Sequence, residues 1–337
     1  LNPRSPSKTR VAGSLALLVA LAAAPARAET PPSVWQRAAR PGLGEADRLH
    51  RDVSETIAAA QMARRNASLR RTHLSRARAM LDEASALQSV DVRLRFDLGR
   101  VLELQDDHAR AAEVLREALS DAPDHPSAAE AWLTLAYAAG HTDQSRLERD
   151  AYHAFLQRTV HESAKSTATL NLAECEMRLG NLDAAIVGYR AALQTSDELG
   201  RLYGGYDTYR LALWGLAVAQ DRIGDPRSGA RTAASALAED PGLALVGHGE
   251  HVFFVPAYER AWYLAMGFSA MAEARPAGGE RLSARRAAFE QWSEYVQKAG
   301  PQDRWLPLAR AHLARAKSDL DRETKSTPEP APEPSPW

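Results

Sequence analysis

The sequence predicts an all-α protein, a solenoid of stacked helix hairpins. Three observations point there. Phrases in which a large apolar residue precedes Gly or Ala recur along the chain: Phe96-Asp97-Leu98-Gly99, Leu133-Thr134-Leu135-Ala136, Leu170-Asn171-Leu172-Ala173, Trp214-Gly215-Leu216-Ala217 and, more loosely, Leu264-Ala265-Met266-Gly267. A small residue follows three of them at one fixed step of 13, from Leu98 to Ala111, Leu172 to Ala185 and Leu216 to Gly229. Each begins a second helix-like pattern, Ala111, Leu115, Ala118, then Ala185, Tyr189, Ala192, then Gly229, Ala233, Ala236, and Pro123 and Pro241 close two of these units. Such recurrence marks a unit that cannot bury its own apolar face and must stack on its neighbours.

Taken in order, residues 1–28 read as a signal peptide. Arg4, Lys8 and Arg10 precede an apolar run of 14 residues from Val11 to Ala24, and Ala26-Arg27-Ala28 supplies a small-x-small cleavage site. At about 1.5 Å per residue that run is shorter than a ~30 Å hydrocarbon core, which favours cleavage over a retained anchor. Residues 29–45 form a linker, and 46–90 a degenerate N-terminal helix pair, Ala46 to Arg65 and Ala67 to Leu87. The repeat array occupies 91–300 in about five units, clearest at 92–125, 166–199 and 210–243. Anchor spacings of 37, 37, 44 and 50 residues make it irregular. Three extra residues are expected around Gly140-His141-Thr142-Asp143, ten more around Tyr203 to Tyr206, and an apolar insert near 242–258. Residues 301–323 read as a capping helix, and the Pro/Glu-rich 324–337 as a disordered tail.

These features resemble the tetratricopeptide-repeat (TPR) family, whose signature W-x₂-L-G-x₂-Y, then A-x₃-F, then P spans about 34 residues. Gly180-Asn181-Leu182 and Gly224-Asp225-Pro226 fit the turn between paired helices. The resemblance covers roughly Asp91 to Tyr295 and implies a right-handed α-solenoid. It also implies a concave face, lined by the first helix of each pair, that holds a protein or peptide partner. Carried over residue by residue, that face takes Arg93, Phe96 and Arg100 from the first unit and Tyr137 and His141 from the second. Glu174 and Arg178 follow from the third, and Trp214 and Arg222 from the fourth. For Phe96 and Trp214 packing between adjacent first helices is an equal alternative. The family's carboxylate-clamp subtype needs a Lys and Asn set that Phe96 and Arg100 replace.

Composition narrows the function. Cys175 is the only cysteine, so no intramolecular disulfide forms, and a buried thiol is expected. The formal charge of −1 includes four basic residues and no acid within 1–28, leaving −5 after cleavage, which argues against nucleic acid. No catalytic motif, metal-ligand set or cofactor-binding loop is present. His248-Gly249-Glu250-His251 lies in a Gly-interrupted loop rather than at i, i+4 on a helix. Two patches stay open. Arg64, Arg65, Arg70, Arg71, Arg76 and Arg78 form either a solvated face or a surface for an anionic partner. Phe253, Phe254 and Tyr258 belong to an insert that either tucks into the groove or docks a partner. The expected function is a periplasmic interaction scaffold without a cofactor, no enzyme, and with no stable transmembrane segment after signal removal. A soluble carrier of a small envelope ligand, peptide or glycan fragment, is the alternative.

Overall fold

The structure is a computed structural model describing residues 42–84, 86, 89, 91–199, 205–248 and 254–326. The signal segment 1–28, the linker up to residue 41, Phe253 and tail residues 327–337 lie outside the described residues. Among the described residues there are fourteen helices and no strand. They run as hairpins: α1 (Gly42–Met62) with α2 (Ala67–Glu83), α3 (Val92–Leu104) with α4 (His108–Asp121), and α5 (Ala128–His141) with α6 (Ser145–Arg158). Then come α7 (Glu162–Leu179) with α8 (Leu182–Leu199) and α9 (Gly205–Arg222) with α10 (Pro226–Glu239). The short α11 (Ala244–His248) precedes α12 (Glu259–Glu273), which pairs with α13 (Gly279–Lys298), and α14 (Leu306–Ser326) closes the array. The capping helix thus extends through 324–326, residues that the sequence places in the tail.

The turns within the hairpins obey one rule. Eight residues after Leu98, Leu135, Leu172 and Leu216 stand Asp106, Asp143, Gly180 and Gly224, with φ of 65°, 55°, 86° and 94°. One residue later, the N–H groups of Asp107, Gln144, Asn181 and Asp225 donate back to the carbonyls of Leu102, Ala139, Glu176 and Gln220 at 3.0, 2.9, 2.9 and 3.0 Å. This is the left-handed C-cap that ends a helix while satisfying its last carbonyls. Asp107 and Asp225 then cap the next helix through their side chains, at 3.4 Å to Arg110 N and 3.0 Å to Ser228 N.

The second hairpin therefore has no extra residues around Gly140 to Asp143, contrary to the expectation from its spacing. The residues beyond a repeat of about 34 lie after the second helix, as in the first unit. Helix α7 takes up part of that connection, beginning 10 residues before its anchor Leu172, against 7 for α5 and Leu135. The phrase step also holds there, because 13 residues after Leu135 comes Glu148, followed by Tyr152 and Phe155. All three are buried, at 5%, 1% and 2% exposure. A carboxylate occupies the place where the other hairpins carry Ala or Gly.

Small residues permit the close approaches. A Cβ on Gly99 would stand 2.4 Å from Leu115 Cγ, and one on Gly267 2.5 Å from Leu243 Cδ2. First helices touch one another in the pairs α1–α3, α3–α5, α7–α9 and α9–α12, while α5 and α7 share no comparable interface. The apolar core divides at the same place. One cluster runs from Val53 to Ala168 and a second from Leu170 to Ala309, so α7 gives Ala164 and Ala168, with Leu172 packed against them, to one and Leu170, Ala173 and Met177 to the other.

Candidate functional site

The gap between α5 and α7 exposes a polar crevice. It has a volume of about 40 Å³ and is lined by Glu148 and Tyr152 of α6, Asn171, Glu174, Met177 and Arg178 of α7, and Arg222 of α9. Phe254, Val255, Glu259 and Tyr263 form its far wall. Glu148 ion-pairs with Arg178, and Gly140 makes the room, since a Cβ there would meet Glu148 Oε1 at 3.0 Å. Burial pushes the Glu148 carboxyl up, against the opposing pull of Arg178. Burial disfavours charge on Arg178 as well, but Glu148, Cys175 and Glu174 together more than offset it and hold the guanidinium's pKa above its ordinary value.

Glu174 differs from its neighbours. No hydrogen bond or ion pair reaches its carboxyl among the described residues, and burial pushes its pKa up to about 7 despite Arg178 nearby. Asn171 Nδ2 donates to the Tyr152 hydroxyl at 3.1 Å, which leaves the Asn171 carbonyl oxygen available as an acceptor. Cys175, beside the crevice, is fully buried and its thiol donates to the Ser145 carbonyl at 2.9 Å. Burial pushes that thiol up to about 12, which keeps it protonated, as expected of a packing residue.

The remaining sequence-derived candidates disperse. Arg93 clamps α3 to α1 through Asp47 at 2.6 Å and also pairs with Asp91. Phe96 is buried edge-on to His125 at 5.9 Å, and Trp214 is fully buried. Both are packing residues, because stacking of adjacent first helices consumes their rings. Arg222 is also no free contact. Its side chain is 1% exposed, pairs with Glu259 at 2.5 Å, and lies 4.4 and 5.1 Å from the Trp262 and Trp305 rings. Tyr295 donates to the same Glu259 at 3.1 Å, making this a buried C-terminal clamp. Arg100 pairs with Glu130 at 3.2 Å, Tyr137 meets Tyr152 edge-on at 6.2 Å, and His141 stacks on His108 at 4.1 Å. The structure thus brings Glu174, Arg178 and the inner end of Arg222 together, and leaves Arg93, Phe96, Arg100, His141 and Trp214 elsewhere.

The insert tucks inward where it is described. Phe254 packs on Tyr263 at 5.0 Å, and Tyr258 packs edge-on against Tyr295 at 5.3 Å while donating to Asp303 at 2.8 Å. Phe253 lies outside the described residues. Of the basic cluster, Arg70 donates to the Leu104 carbonyl at 2.9 Å and Arg78 pairs with Asp82 at 2.8 Å, while Arg64, Arg65, Arg71 and Arg76 are exposed. Glu148, Tyr152, Asn171, Glu259 and Tyr263 were not singled out from the sequence. The available signal for the first two was the 13-residue step from Leu135, overlooked because a charged residue stands where a small one is sought.

Among the described residues no helix is long and apolar enough to cross a membrane, and no group of three or more His, Cys, Asp or Glu could hold a metal ion. No family model matches the chain, and no curated protein matches its sequence. Solved structures do align with it. MamA (AMB-1) is similar over 57% of this chain and 98% of its own, at 19% identity and a TM-score of 0.45. The P58(IPK) TPR domain is similar over 87% of this chain and 72% of its own, at 15% identity and a TM-score of 0.35. The hairpin order, the left-handed turns and the 13-residue step within this chain make an all-α array of stacked helix hairpins, the architecture that the TPR resemblance implies.

Proposed function

We propose that this chain is a non-catalytic interaction scaffold that holds a protein segment along its inner face and works in the cell envelope after export. The observation that carries the reading is the crevice at the α5–α7 gap. Stacking has consumed the large apolar side chains, so what the first helices leave on the inner side is a row of desolvated polar groups beside aromatic walls. Such groups form strong directed bonds to a segment that excludes water from them. A cavity of about 40 Å³ is far below the ~300–1,000 Å³ that encloses a small ligand, which favours an open channel for a chain over a carrier's pocket. The larger hollow, about 450 Å³, is formed among the described residues by one face of α14 alone and encloses nothing. Export is supported by the basic start, the 14-residue apolar run and Ala26-Arg27-Ala28.

Photo-crosslinking from the native envelope tests both parts. Photoreactive residues at Glu130 and Asn171 are expected to trap one discrete partner, and one at the exposed Glu117 on α4 is not. Equal trapping from Glu117, or none from the inner positions, defeats the scaffold reading. Recovery of the uncleaved chain in the cytosolic fraction defeats the export reading alone.

A further inference from the structure

We propose that the crevice between α6, α7 and the 254–263 segment receives a lysine side chain of the held peptide, with its ammonium bound by Glu174. The inference rests on the inner-face reading and deepens it by naming the chemistry of the occupant.

The lining has two ends. Met177, Phe254 and Val255 offer apolar walls, which suit the four methylenes of a lysine stem. At the polar end the charges do not balance. Glu148 is matched by Arg178 and Glu259 by Arg222, while Glu174 has neither an ion pair nor a hydrogen bond among the described residues. With Glu174 ionised, the crevice holds three carboxylates and two guanidiniums, so one further cation restores neutrality. An ammonium has three donors to satisfy, and the Glu174 carboxylate and the free carbonyl oxygen of Asn171 are acceptors on the same helix, three residues apart. An acidic side chain would meet a third carboxylate without a partner, and a neutral one would leave Glu174 buried and unmatched.

The test uses the full chain and pools of nonapeptides randomised at every position except a central one, fixed as lysine, norleucine or glutamate. The lysine pool is expected to be retained about tenfold better than the norleucine pool, the gain of one desolvated charge-assisted pair. Glu174→Gln, which keeps the shape, is expected to bring that ratio to about one, by lowering lysine retention and raising norleucine retention. Phe254→Ala is expected to weaken both pools together, which separates the apolar wall from the charge. Circular dichroism confirms that each variant is folded. Equal retention of lysine and norleucine by the native chain, or a lysine preference that survives Glu174→Gln, overturns the lysine site and leaves the inner-face reading intact. Failure of every pool overturns both.

Discussion

Glu148 of α6 pairs with Arg178 of α7 at the step where the other hairpins place Ala111, Ala185 and Gly229. The pair therefore replaces a helix contact through small side chains with a buried ionic one, at the point where the two apolar cores divide.

Removing one member strands the other. Arg178→Met is expected to lower stability by about 3–5 kcal/mol, because Glu148 is left at 5% exposure without its cation. Glu148→Ala combined with Arg178→Met restores the alanine seen in neighbouring hairpins and is expected to cost less than half as much. Urea titration of the two single variants and the double variant checks the coupling.

Trp214 separates packing from recognition. Its ring is fully buried and lies 3.2 Å from where a Cβ on Gly267 would stand, so Trp214→Ala is expected to cost about 3–5 kcal/mol. Thermal melting reads this directly. A variant of unchanged stability would return Trp214 to the surface role that the sequence pattern gives it.

The repeated left-handed turn makes a paired prediction. Gly180 has φ of 86°, and a Cβ there would stand 1.5 Å from Arg304 Nη1, which donates to the Leu179 carbonyl at 2.7 Å. Gly180→Ala is expected to lose about 1–2 kcal/mol from the backbone alone and more from displacing Arg304. Asp106 occupies the same place with φ of 65°, so Asp106→Gly is expected to be neutral or stabilising by up to about 1 kcal/mol. Denaturation curves of both variants decide.

Glu103 gives stability a pH dependence. It is 6% exposed, and burial raises its pKa from an ordinary 4.5 to about 7. Because the folded pKa exceeds the unfolded one, its favourable contribution is fully present below about pH 4.5 and is lost as pH rises through about 7. Glu103→Gln mimics the protonated acid. It is expected to match the native chain at pH 4 and to exceed it by up to about 3 kcal/mol at pH 8. Urea titrations at the two pH values measure the difference.

Fold and site were legible to different depths. The hairpins showed in the sequence because packing demands a large residue beside a small one at fixed steps, as in Leu98-Gly99 and Ala111. The same demand hid Glu148, since a search for small residues passes over a carboxylate whose space comes from Gly140 rather than from its own size. Phe96 and Trp214 looked like contacts for a partner because their helix is the inner one. Only the neighbouring helix shows that their faces are covered. Glu174 was placed on the inner face, but its lack of a hydrogen bond or ion pair among the described residues is a property of everything around it and has no local sequence mark.

The division of α7 between two cores also bears on how the array carries load. Tension applied at its ends meets continuous hydrocarbon on either side, whereas at α7 it meets an ion pair and a hollow, whose resistance depends on local water and salt rather than on packed volume. The array is therefore expected to yield there first, with the ion pair and hollow as its most compliant joint. A side chain lodged in the hollow is a strut across that joint, so occupancy stiffens the array and bending of the arms alters the grip on its cargo.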